Sequence, residues 1–316
     1  LAETIPLRYE DTPAARYFPG KGQNAEYREG LYVGYRYYET VDKAVRYPFG
    51  YGLSYTTFAY SDLKVNADHV TFTLTNTGKR DGAEVAQLYV AKPDATVFRP
   101  AKELKGFAKV FLKAGASKTV TIPLDDKAFR YWNVATDRWE VEGGSYQLLV
   151  GASVQDIRLT AELALPGTGA PDPYAGKALP DYYTGNIQNI PDVEFETLLG
   201  RSVPKEKTVI DRTMTLGELH HSRSPLCWLI AGVLTLLVRS GEKNGKPNLN
   251  ILFQYNMPLR GLAQMTGGII GEETVDGLVL EAKGFWVVGI LRALVGLLQN
   301  FVANSRYQAK LDERSR

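Results

Sequence analysis

Val70-Thr-Phe-Thr-Leu-Thr75 alternates apolar and polar side chains without a break, and in an extended chain successive side chains face opposite sides. The stretch therefore predicts a strand with one face in a core. Gly78-Lys-Arg-Asp-Gly82 supplies a turn directly after it, and Glu84 to Val90 starts the next strand. Working outward, further strands are expected at Leu104 to Leu112, Thr119 to Leu124, Tyr146 to Val150 and Ile157 to Leu163, with turns at Lys113 to Ser117 and Glu142 to Ser145. Short strands at this spacing over roughly 100 residues predict two antiparallel sheets packed face to face.

The flanks read differently. Eleven tyrosines fall between Tyr9 and Tyr60, with few long aliphatic residues among them. Such a segment cannot bury its own aromatics, so they are expected to pack on an upstream domain or on the following one. Tyr35, Tyr37, Phe49 and Tyr51 are expected to be buried against an upstream half. Between Pro166 and Pro191 the composition turns to glycine, proline and polar residues, as in Pro166-Gly-Thr-Gly-Ala-Pro-Asp-Pro173, and reads as a linker or a wrapping segment. Beyond it the period becomes helical, with apolar runs at Leu226 to Val238 and Phe285 to Val302. The first is too short to span a bilayer, and the second carries Arg292 near its middle, which is costly in hydrocarbon. Gly289, Gly296 and Ala303 recur every seven residues, as do Arg292, Gln299 and Arg306, which predicts a close-approach seam beside a polar one. The two apolar runs are expected to pack on each other or across a subunit boundary.

Composition removes several chemistries. The 316 residues are 44% hydrophobic and 23% charged, ordinary for a soluble chain of two or three domains. Lysine and arginine number 37 against 35 aspartates and glutamates, a net charge of +2 that gives no whole-chain argument for nucleic-acid binding. The single cysteine, Cys227, excludes an intramolecular disulfide framework and a multi-cysteine metal site, and the three histidines are too few for a histidine-rich metal centre. The chain begins at Leu1 rather than Met, so further sequence is expected upstream. One cysteine and no Asn-x-Ser/Thr sequon favour a cytoplasmic location.

Two blocks carry more than periodicity. Glu26-Tyr-Arg-Glu-Gly-Leu-Tyr-Val-Gly-Tyr-Arg-Tyr-Tyr38 and Tyr47-Pro-Phe-Gly-Tyr-Gly-Leu-Ser-Tyr-Thr-Thr-Phe58 resemble the end of the second domain of glycoside hydrolase family 3 β-glucosidases, and Leu1-Ala-Glu-Thr-Ile-Pro6 resembles the segment just before it. Thr75 to Val90, Arg99 to Phe107 and Ala128-Phe-Arg-Tyr-Trp132 resemble that family's fibronectin type III-like domain. The resemblance covers about residues 1 to 165. It implies a multidomain chain: residues 1–59 the tail of an α/β sandwich domain, 60–166 a fibronectin type III-like β-sandwich, 167–200 a linker or wrapping segment, and 201–316 a mainly α-helical extension. It also implies a retaining hydrolase, in which two carboxyl groups about 5 to 5.5 Å apart attack the anomeric carbon and protonate the leaving oxygen. The aspartate nucleophile and acid/base glutamate of the family lie upstream of everything matched here. No catalytic residue is assigned in this chain, no substrate-binding residue, no metal site and no cofactor. The expected partners are an N-terminal catalytic portion, a β-glucoside or oligosaccharide substrate and a second copy of the chain; membrane and nucleic acid are not expected. The alternative reading is a non-catalytic binding or adhesion module.

Several residues imitate sites. Ser61-Asp62 is similar to the pair around the family's nucleophile but falls at the start of the sandwich and reads as a turn. Glu3 and Glu29 read as salt-bridging or capping carboxylates. His220 and His221 are adjacent, so a helix would point them about 100° apart, unlike the i, i+4 pair of a helical zinc site. Cys227 lies in an apolar run and reads as a buried, inert thiol. Met265-Thr-Gly-Gly268 lacks the lysine of a phosphate loop and reads as a turn. The Tyr27 to Tyr38 cluster reads as packing, with a secondary role in lining a sugar site.

Overall fold

A computed structural model describes residues 1–18, 20, 24–66, 68–205 and 209–314. They fall into two units, residues 1–206 and 207–316. In the first, β1 (Ile5–Pro6) pairs with β2 (Val45–Tyr47), with helix α1 (Tyr35–Thr40) between them in sequence. The sandwich follows as β3 (Phe58–Val65), β4 (His69–Asn76), β5 (Gly82–Ala91), β6 (Glu103–Leu112), β7 (Ser117–Pro123), a small hairpin of β8 (Arg130–Asn133) and β9 (Arg138–Val141), then β10 (Gly144–Gly151) and β11 (Ile157–Leu165). One sheet runs β11-β10-β5-β6 and the other β3-β4-β7, all antiparallel.

The alternation that marked β4 is the alternation of its burial. Val70, Phe72 and Leu74 are buried and meet Leu88, Val110, Val120, Ile122, Tyr146 and Leu148 in one core. Large side chains of this kind each contribute about 1.5 to 3 kcal/mol on full burial. β3 does not alternate cleanly, and its geometry says why. Phe58 and Tyr60 pack on the core, then Leu63 and Val65, a shift of phase made by a bulge between Ser61 and Lys64. Asp62 sits there with φ of 56°, so Ser61-Asp62 is a strand irregularity whose hydroxyl bonds the neighbouring carboxylate at 2.8 Å. Asn76, fully buried, ties the edge of the sandwich together: its Oδ1 accepts from Thr56 and from the Gly78 N–H, and its Nδ2 donates to the carbonyls of Arg80 and Leu112.

The tyrosine-rich segment finds cover within the chain. Tyr32, Tyr37 and Tyr38 form a second core with Phe98, Leu179, Tyr182, Ile187 and Ile190. The residues after the sandwich therefore come back over the aromatics, through α2 (Pro180–Thr184) and α3 (Asp192–Leu199). Polar groups fasten this return. Tyr182 donates to the Arg28 carbonyl at 2.9 Å, Tyr32 donates to the Tyr182 carbonyl, and buried Arg28 donates to the Ile190 carbonyl at 2.9 Å and pairs with Asp192 at 2.6 Å. The expectation of burial against an upstream half is corrected for Tyr37, which this later segment covers. Tyr35, Phe49 and Tyr51 are half-buried, Tyr35 packing on Phe49 at 4.6 Å.

The second unit is helical: α4 (Pro225–Lys243), α5 (Leu249–Tyr255), α6 (Leu259–Met265), α7 (Glu272–Ala282) and α8 (Trp286–Arg314). Its core joins Met214, Leu219, Cys227, Ala231, Leu259, Val275 and Val279. α4 is 19 residues, longer than its apolar run. The small-residue seam on α8 exists, but its partner is α7, not α4. A Cβ on Gly289 would stand 2.5 Å from the Glu281 nitrogen, and one on Gly296 2.6 Å from the Thr274 nitrogen, so the two backbones touch. Ala293 is the third buried seam residue, whereas Ala303 is exposed. Gly284, at φ of 99°, turns the chain between the two helices. Arg292 finds polar partners at the edge, Glu273 and Asp276 of α7, each at 2.9 Å, and Gln299 is exposed.

Candidate functional site

In the first unit a groove of about 740 Å³ is lined by Phe98, Tyr131, Trp132, Trp139, Tyr174 and Tyr182. Its rim is the β8–β9 hairpin. Asn133, buried, builds the turn by accepting from the Ala135 and Thr136 N–H groups while its amide donates to the Pro171 carbonyl at 2.8 Å. Asp137 takes the left-handed conformation at φ of 53° that a tight hairpin needs. The strands then set Trp132 directly opposite Trp139, their rings edge to face at 5.4 Å. The two indoles are 44% and 56% exposed, and the Arg130 guanidinium lies over Trp139.

The floor comes from the loop between β5 and β6 and from the returning segment. Phe98 stacks on Tyr174 at 4.7 Å and meets Tyr182 at 5.4 Å. Arg99 pairs with Glu142 at 2.6 Å and reaches over the Tyr131 ring. Glu142 also accepts from the Thr96 N–H and hydroxyl, which locks the loop to the hairpin. Arg36 pairs with Glu103 at 3.4 Å. Burial raises the phenol pKa of Tyr131, Tyr174 and Tyr182, so these groups stay protonated hydrogen-bond donors at neutral pH. Glu103 and Glu142 are both held by arginines, and neither stands free beside another carboxylate. The groove can bind flat apolar or aromatic surface. Among the described residues it brings no two unpaired carboxylates together as an acid and base pair.

The imitators resolve into structure. Glu29 is buried with its Oε2 unpartnered and Glu3 is exposed, so among the described residues the salt-bridging or capping expected of them is not seen, and no contact joins them. His220 and His221 close a short 3-10 helix, where their rings lie 3.7 Å apart rather than splayed, and His220 Nδ1 caps the Gly217 carbonyl at 2.7 Å. No group of three or more metal-ligating side chains converges among the described residues. Cys227 is buried and its thiol, raised to about 12 by burial and then by Glu281, donates to Glu281 at 3.0 Å. The same carboxylate accepts from Ser224, the N-cap of α4, so it fastens α4 to α7. Gly267 and Gly268 make a left-handed turn between α6 and α7. Sequence reading missed Trp139 and the hairpin. The available signal was the Trp132 and Trp139 pair around a turn rich in Asn and Asp.

Residues 84–154 match the family model of the fibronectin type III-like domain. Over 178 residues the chain is 50% identical to the exo-α-(1→6)-L-arabinopyranosidase of Bifidobacterium breve, which covers 55% of this chain and 24% of that protein. Over 176 residues it is 45% identical to the thermostable β-glucosidase B of Acetivibrio thermocellus, covering 53% and 23%. The crystal structure of the Bifidobacterium adolescentis glycoside hydrolase family 3 β-glucosidase superposes with a TM-score of 0.52 at 40% identity, over 73% of this chain and 29% of that one. The chain thus spans about a quarter of the length of these relatives, and the sandwich with a helical extension agrees with the fold class its sequence implies. The fibronectin-like half of this chain is similar to the C-terminal regions of glycoside hydrolase family 3 enzymes.

Proposed function

We propose that this chain is the C-terminal, structural part of a retaining glycoside hydrolase that removes terminal β-D-glucosyl or related residues. An N-terminal portion supplies the barrel, the aspartate nucleophile and the acid/base glutamate. The observation that carries this reading is the 45 to 50% identity, over about half of the chain, with glycosidases some four times the matched length. The groove supports the division of labour. Its carboxylates are tied to arginines, and its exposed Trp132 and Trp139 form a seat for apolar surface rather than a reaction centre. In this reading the seat receives the N-terminal portion, which the chain buttresses.

The test is association. Trp132→Ala and Trp139→Ala together should weaken binding of the chain to its N-terminal portion at least tenfold, because large central aromatics dominate interface energy. Association unchanged by the double variant would overturn the seat. A monomeric chain that melts cooperatively alone and binds a glycan tightly through the same tryptophans would favour the binding-module reading instead.

A further inference from the structure

The second unit carries a surface that water does not suit. α8 rests on α7 through Gly289, Ala293 and Gly296, and at 100° per residue Val287, Leu291, Leu294 and Leu298 stand about half a turn away from that contact. All four are more than half exposed. α4 repeats the pattern: Cys227 and Ala231 face inward, while Leu229, Val233 and Leu236 are at least half exposed on the other side. In the most apolar 18-residue stretch of each helix only 11% (α4) and 17% (α8) of the residues are buried. Scattered apolar side chains on a surface are ordinary, but two continuous helical faces mark a site of contact.

Charge and aromatic placement say what the contact is. Residues 207–316 hold 13 lysines and arginines against nine aspartates and glutamates, whereas residues 1–206 hold 24 against 26. The cations flank the apolar faces: Arg239, Lys243 and Lys246 follow that of α4, Arg306 and Lys310 follow that of α8, and Arg223 and Lys283 stand where both helices begin. At that shared start the Arg223 N–H donates to the Ala282 carbonyl. The indoles of Trp228 and Trp286 are anchored there, on the carbonyls of Ser222 and Arg223, with their rings about half exposed. Indoles and cations bordering an apolar helical face suit the boundary between lipid headgroups and acyl chains.

We infer that the second unit lies on an anionic membrane surface, with the apolar faces of α4 and α8 at the headgroup boundary. The helices lie in the plane of the membrane rather than crossing it. α7 runs along α8 with Glu273 and Asp276 bonded to Arg292, and Asp276 also takes Arg212. Crossing would bring this ion-pair network into hydrocarbon, whereas lying flat leaves it on the water side. The inference does not rest on the glycosidase reading, but it requires that the proposed N-terminal portion leave these faces open, and vesicle binding lost when that portion is added would overturn it.

The test is flotation of the 316-residue chain with vesicles of phosphatidylcholine alone or with one quarter phosphatidylglycerol. The chain should float with the anionic vesicles, bind the neutral ones at least tenfold more weakly, and be released by high salt with alkaline carbonate. Leu294→Glu with Leu298→Glu, at positions more than half exposed and outside the helical core, should cut binding at least tenfold without moving the melting temperature. Arg239→Gln with Lys243→Gln should reduce the anionic preference alone. Failure to float with either vesicle overturns the inference. So does release by detergent only, which would mean a span. It is equally overturned if the leucine variant turns an oligomer into a monomer while vesicle binding stays the same, since a second copy would then cover the face.

Discussion

Cys227 shows how a single side chain is settled by its surroundings. Its thiol donates to Glu281 inside the helical core, and burial followed by that carboxylate raises its pKa from the ordinary 9.0 to about 12. A protonated, covered thiol is a poor nucleophile, so the folded chain should resist alkylation by iodoacetamide at pH 8 and react only after denaturation. The same shift links stability to pH. Because the folded state holds this proton more tightly, its contribution is complete below pH 9 and is lost as pH rises through about 12. The buried phenols of Tyr60 and Tyr89, also raised by desolvation, act in the same sense above about pH 10. Melting temperatures taken from pH 8 to 11 should fall steadily above about 9, and a flat profile would contradict these assignments. Asn76 is the second decisive residue. Asn76→Ala strands the Gly78 N–H and the carbonyls of Arg80 and Leu112 at the sandwich edge, and should cost about 1 to 3 kcal/mol in urea unfolding. A loss below a few tenths would show that those groups find water instead.

At the scale of elements, what the sequence declared depended on how regular each element is. β4 was legible because Val70, Phe72 and Leu74 keep strict period two, and the turn after it is spelled by Gly78 and Gly82. β3 was hidden by its bulge, which shifts the core face between Tyr60 and Leu63. β8 and β9 are four residues each, too short for alternation to register. α7 was missed because Glu272, Glu273 and Asp276 interrupt its apolar residues, and yet it is the element that α8 embraces. A small-residue stripe declares close approach without declaring the partner. The corrected pairing makes a sharper prediction: Gly296→Leu must push α8 off Thr274 and should cost about 1 to 3 kcal/mol, occasionally more for so tight a site. Thermal unfolding of the variant checks it, and an unchanged transition would mean that the helices slide apart freely.

At the scale of the whole molecule, the candidate groove was the least legible part, since it is assembled from residues distant in sequence. Phe98, Tyr174 and Tyr182 meet only after the chain has completed the sandwich and doubled back, and nothing local announces that return. The family resemblance, by contrast, was readable from runs such as Glu26 to Tyr38, because it rests on residue order rather than on contacts. We propose that this chain is part of a glycosidase without containing the chemistry. The direct measurement is hydrolysis of an aryl β-D-glucoside by the purified 316-residue chain, with and without the N-terminal portion. The account predicts release of phenol at the buffer rate by the chain alone and turnover once the N-terminal portion is added. Robust hydrolysis by the chain alone, stable through repurification, would contradict it.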